Sequence, residues 1–127
     1  MTKHFFYLLF LGVFAQTTLM AQKTESKFVQ ITTIESVVGG GIGRSKMIIT
    51  KEDGSQEEKD MNNLFSITGI NFRNIKENES SIIYTLKSYT DNGWKIFSNT
   101  PLTLSPTNNG PGIFMTRYLL VKEDDKK

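Results

Sequence analysis

Beyond residue 21 this 127-residue sequence contains neither cysteine nor histidine. Whatever it folds into has no disulfide and no imidazole- or thiolate-bound zinc to staple it. Packing alone must hold the chain. The same absence removes Ser-His and Cys-His nucleophilic chemistry, because the only imidazole is His4.

His4 lies in a segment with the three-part pattern of a secretory signal peptide. Lys3 supplies the positive region, Phe5 to Phe14 an apolar run of ten residues, and Gln16, Thr17 and Thr18 a polar stretch before Ala21. The polar stretch interrupts the run well short of the roughly 20 apolar residues a membrane span needs. Residues 1–21 are therefore expected to be a signal peptide, cut between Ala21 and Gln22. The expected destination is the periplasm or the extracellular medium. With no cysteine at the cut, a thioether lipid anchor is ruled out.

Residues 22–127 amount to one domain. Without Lys3, 14 basic residues face 13 acidic ones, a formal charge of +1. The charges are interspersed, with no basic stripe of the kind a nucleic-acid partner calls for. The expected layout is a flexible lead-in at 22–27, a single domain at 28–122, and a charged tail at 123–127.

Phe28 to Val38 is rich in Val, Ile and Thr and predicts a strand. Gly39 to Gly43 breaks it, and Lys46 to Thr50 predicts a second. Asp53-Gly54 signals a tight turn. Gln56 to Met61 returns as a polar strand, suited to a sheet edge. Asn62 to Asn74 mixes apolar residues with Gly69 and predicts an irregular, partly buried connection with one helical turn. An amphipathic helix is expected over about 79–92, capped by Asn78. Ile82, Ile83, Leu86 and Tyr89 form its apolar face, and Gly93 follows as the residue that ends it. Trp94 to Phe97 starts another strand. Pro101, Pro106, Pro111 and Asn108-Asn109-Gly110 predict a long loop over Ser98–Gly112. Ile113 to Val121, apolar on both faces, predicts an inner strand. These elements add up to an α+β fold: two-layer, with a four- or five-stranded, mostly antiparallel sheet carrying one helix on one face.

The run Leu86-Lys87-Ser88-Tyr89-Thr90-Asp91-Asn92-Gly93-Trp94-Lys95-Ile96 resembles the signature of a small bacterial domain family of unknown function. In that family a helix ends in Gly-Trp and enters a strand, roughly Leu-Asn-x-Leu-Gly-x-x-Gly-Trp-Glu-Leu-Val. Here Tyr89 takes the place of the second Leu, Thr90 of the first Gly, and Lys95 of the Glu. The closing strand Ile113 to Leu119 is similar to that of short exported proteins carrying this domain. The resemblance covers about the C-terminal half. It implies a compact αβ fold and carries over no catalytic residues.

Gly39 to Lys46 imitates a phosphate loop but lacks the Gly-Lys-Ser/Thr order, and no third Gly completes the dinucleotide pattern. Glu52, Asp53, Glu57, Glu58 and Asp60 cluster without the alternation of a calcium loop; a solvated hairpin explains them. Glu35, the one carboxylate in an apolar strand, is expected on the solvent face. Asn78-Glu79-Ser80 matches a glycosylation acceptor, and here marks a helix start. No cofactor or metal is expected.

Four residues are candidates for binding. Trp94 can serve as a stacking platform, though a Trp just after a helix more often packs on Leu86 or Tyr89. Tyr84 points away from the apolar helix face. Asn108 and Asn109 sit in the Pro/Asn/Gly loop, and loops on a rigid scaffold carry recognition. The expected function is a non-catalytic binding or interaction module of an exported bacterial protein. Its partners would be a protein or cell-envelope component, or a second copy in a homodimer. The alternative is a carboxylate-dependent hydrolase acting on glycan. That chemistry needs a cleft with two carboxyl groups roughly 5–10 Å apart.

Overall fold

The computed structural model describes residues 25–37, 44–105 and 112–124. The signal segment, the glycine loop at 39–43, Asn108 and Asn109 lie outside the described residues, as do the last three residues of the tail.

The element order is β1 (Glu25–Ser36), β2 (Ser45–Lys51), β3 (Gln56–Met61), β4 (Phe65–Ser66), β5 (Gly69–Ile70), α1 (Phe72–Thr90), β6 (Lys95–Leu104) and β7 (Ile113–Asp124). Five strands form one sheet in the order β3-β2-β1-β7-β6, and β4 pairs with β5 in a small second sheet. All these pairings are antiparallel. The protein is α+β, dominated by its sheet.

Alternation along the strands selects the core. Val29, Ile31 and Thr33 of β1 stand opposite Leu120, Tyr118 and Thr116 of β7. Ile31 and Thr33 also face Ile49 and Met47 of β2. Ile31, Met47 and Leu120 are fully buried. Leu86 of α1 joins this cluster, with Ile82, Tyr89, Trp94 and Met61 packed against it.

Three sequence expectations are corrected. The helix starts seven residues earlier than 79, and its cap is Asn71, whose Oδ1 accepts a hydrogen bond from the Asn74 N–H at 3.2 Å. Asn78 is no cap; it is 1% exposed, inside the helix. Its position belongs to the inward row Ile75, Asn78, Ile82, Thr85, Leu86, Tyr89, spaced by three, four or one. The polar residues at two of these places hide the row from a hydropathy reading. Ile83, expected on the apolar face, is 63% exposed.

The second correction concerns 62–74. Gly69, at φ +117°, lets the chain turn between β4 and β5, and Phe72 to Asn74 already belong to α1. The third concerns Ser98–Gly112. Residues up to Leu104 continue β6, including Pro101, which pairs with Thr116. Proline is tolerated there because β6 is an edge strand. A register shift between Ile96 and Ser98 marks a bulge around Phe97.

β1 begins at Glu25, inside the expected lead-in, and β7 ends at Asp124, inside the expected tail. Glu25 and Asp124 are register partners, so β1 and β7 pair along their whole described length.

Candidate functional site

Gly93 ends α1 with φ +85°, as its sequence position implies. The Gly93 N–H bonds to the Thr90 carbonyl at 3.1 Å and the Trp94 N–H to the Tyr89 carbonyl at 3.2 Å. This is the Schellman pair of bonds, which folds the chain back over the last helical turn. Trp94 is thereby returned onto Tyr89, with ring centroids 5.8 Å apart and planes at 80°. Edge-to-face geometry suits the quadrupoles of the two rings. Trp94 is partly buried against the core, as expected for a Trp in this place.

The same closure builds one end of a cleft. A cavity of about 510 Å³ lies between the C-terminal half of α1 and β3. Ile49 contributes to its lining, Tyr89 and Trp94 line one end, Tyr84 and Ser88 come from the helix, and Asn92 from the turn just after it. Spacing of four puts Tyr84 and Ser88 in one ridge, and Asn92 continues it from the turn, where its Nδ2 donates to the Ser88 carbonyl. Glu57 and Lys59 face them from β3, on the side of the strand shared with Ile49 and Met47. Tyr84 and Trp94, separate candidates in the sequence, thus line the same cavity.

The Lys59 ammonium lies 5.8 Å from the Tyr84 ring centroid, a cation–π contact at the mouth. Tyr84 is 72% exposed, so this contact is open to solvent. Glu58 forms an ion pair with Lys46 of β2. The Glu57 carboxylate makes no hydrogen bond or ion pair among the described residues. Tyr89 titrates above the ordinary value of 10.0, because burial disfavours its phenolate and Glu57 adds negative charge nearby.

Behind the aromatic pair is a second cavity of about 500 Å³, bounded by Phe28, Val29, Lys51 and Asp53 and sharing Tyr89 and Trp94. Asp53 itself is held by Ser55, whose hydrogen bonds keep its carboxyl below the usual range. It therefore serves the β2–β3 turn.

Glu35 does not stand free on a solvent face. Its Oε1 accepts a hydrogen bond from Asn78 Nδ2 at 2.9 Å. Asn78 Nδ2 also donates to the Asn62 carbonyl at 2.8 Å, and Asn78 Oδ1 accepts from the Asn62 N–H at 2.8 Å. This buried amide ties α1 to β1 and to the end of β3. The residues missed by the sequence reading are Glu57, Lys59, Ser88 and Asn92. The ridge at 84, 88 and 92 was the available signal; only the fold brings β3 opposite it.

Among the described residues no three of His, Cys, Asp and Glu gather into a group able to hold a metal ion. No helix among them is long and apolar enough to cross a membrane. Comparison with known proteins finds no matching family model, curated protein or solved structure.

Proposed function

We propose that this is an exported, non-catalytic binding module that recognises a small ligand in the cleft between α1 and β3. One observation carries the proposal: three aromatic rings, Tyr84, Tyr89 and Trp94, line one open cavity of about 510 Å³. That size falls in the range of ordinary ligand sites. Rings with accessible faces and a few polar groups at the rim are suited to hold a ligand in one orientation. In this view α1 forms a second layer over the sheet and serves as the wall of the cleft. The Gly-Trp resemblance then has a physical meaning, since the Gly93 closure is what aims Trp94 at the site. Export follows from the N-terminal signal pattern and would present the cleft to envelope or extracellular ligands.

The test is native mass spectrometry of the protein recovered from its host. The expected species begins at Gln22 and carries a small bound mass, which Tyr84→Ala loses while keeping its circular-dichroism spectrum. An intact N-terminus would overturn export. A bound mass indifferent to Tyr84→Ala, or no bound mass together with no response of Trp94 fluorescence to added small ligands, would overturn the cleft.

A further inference from the structure

The cleft has an electrostatic character that selects among small ligands. Its aromatic faces carry the negative end of the ring quadrupole. Of the charged side chains lining it, Glu58 is engaged with Lys46, on the opposite side of β3 from Glu57. Lys59 is engaged with the Tyr84 ring. Glu57 is left as the carboxylate without a partner among the described residues. The cavity also lies along the last turn of α1, where Ser88 and Tyr89 line it, with Asn92 just beyond. The helix dipole is negative at that end. Aromatic faces, an unengaged carboxylate and a helix C-terminus all favour positive charge. The protein's own Lys59 already satisfies one of those faces.

We infer that the ligand is an organic cation, an ammonium or quaternary ammonium head on an apolar body, seated against the aromatic rings with Glu57 as counter-charge. This rests on the cleft being the binding site. An apolar body has somewhere to go, since the second cavity adjoins the same Tyr89–Trp94 pair and is bounded by Phe28 and Val29. A neutral saccharide would also stack on these rings and donate hydroxyls to Glu57, but it would gain no charge attraction from that carboxylate or from the helix end. An anion would meet Glu57 and the helix end unfavourably.

Trp94 is the only tryptophan in the chain, so its fluorescence reports the site alone. The exported protein is titrated at constant ionic strength with choline. A parallel titration uses the uncharged alcohol in which a tert-butyl group replaces trimethylammonium. Choline is expected to shift the emission saturably, binding at least about tenfold more tightly than its neutral isostere. Glu57→Gln should weaken choline binding about fivefold to tenfold, and Lys59→Met should tighten it about threefold, since each changes one charge near the cation. Each should change choline binding more than binding of the isostere, which carries no charge for Glu57 or Lys59 to act on. Both substitutions are on an exposed strand, and circular dichroism is the check that each variant keeps the fold. Equal binding of the two probes, or the same direction of change in both variants, overturns the cation. A neutral co-purified ligand lost in Tyr84→Ala overturns the cation while the cleft stands. No response to either probe, with no co-purified ligand, overturns both.

Discussion

Trp94 is held to Tyr89 twice, by a backbone hydrogen bond of 3.2 Å and by an edge-to-face ring contact at 5.8 Å. The backbone bond exists because Gly93 adopts φ +85°. A side chain at 93 would meet only Lys122 Cε, at 3.7 Å, so space is not the obstacle. The obstacle is the left-handed backbone, which costs a residue with Cβ roughly 1–2 kcal/mol. Gly93→Ala should lower unfolding stability in urea by about that amount. It should also red-shift Trp94 emission as the ring loosens from Tyr89.

Asn78 provides a larger test. It is almost wholly buried and makes three hydrogen bonds, two to the Asn62 backbone and one to Glu35. Asn78→Ala would leave the Asn62 backbone groups and Glu35 without their partner. A destabilisation of about 2–4 kcal/mol is expected in chemical denaturation, given roughly 1–3 kcal/mol for each unsatisfied buried group and partial relaxation. Asn78→Asp should be worse at neutral pH, where two carboxylates would face each other. It should recover as acid protonates one of them.

The corrected helix face makes a contrast between neighbours. Leu86 packs in the core, whereas Ile83 is mostly exposed. Leu86→Ala should cost about 2–4 kcal/mol, while Ile83→Ala should stay within about 0.5 kcal/mol. Thermal denaturation of the two variants checks it. Equal losses would mean that the helix is rotated from the orientation described.

Alkaline titration gives a further check. Burial raises the phenol of Tyr89, with Glu57 adding to it, and burial likewise raises that of Tyr118, with Glu35 adding to it. A raised folded-state value means that the folded form binds the proton more tightly than the unfolded form. The stability this contributes is fully present below the unfolded value near 10. It is lost as pH rises through the folded-state values. Phenolate absorbance should therefore show two late-titrating tyrosines whose ionisation coincides with unfolding. Glu57→Gln should lower only Tyr89, and only in small part, because burial is the larger cause.

Much of the fold is legible in the residues themselves. The Val/Ile/Thr alternation of β1, the Asp53-Gly54 turn and the polar β3 edge follow from local sequence, because strands and turns answer to side-chain period and backbone freedom. The ending of α1 at Gly93 is equally local, since it depends on one glycine. The beginning of α1 is not. Asn71 and Asn78 are the same residue type seven apart, and either can cap a helix in isolation. Only contact with Asn62 and Glu35 determines that Asn78 is buried and Asn71 is terminal. Pro101 likewise reads as a loop until a partner strand on one side, and none on the other, makes β6 an edge. The cleft follows the same rule. Tyr84 and Ser88 share a ridge by helical spacing, which Asn92 continues from the turn, and Gly93 returns Trp94 to Tyr89 by local bonding. Glu57 and Lys59 come from some 25 to 35 residues earlier in the chain. They reach that ridge only because β3 pairs with β2 and Leu86 of the helix joins the buried cluster of β1, β2 and β7. Periodicity and turn chemistry act over a few residues and are written along the chain; the opposition of two distant surfaces depends on long-range packing, which only the folded structure decides.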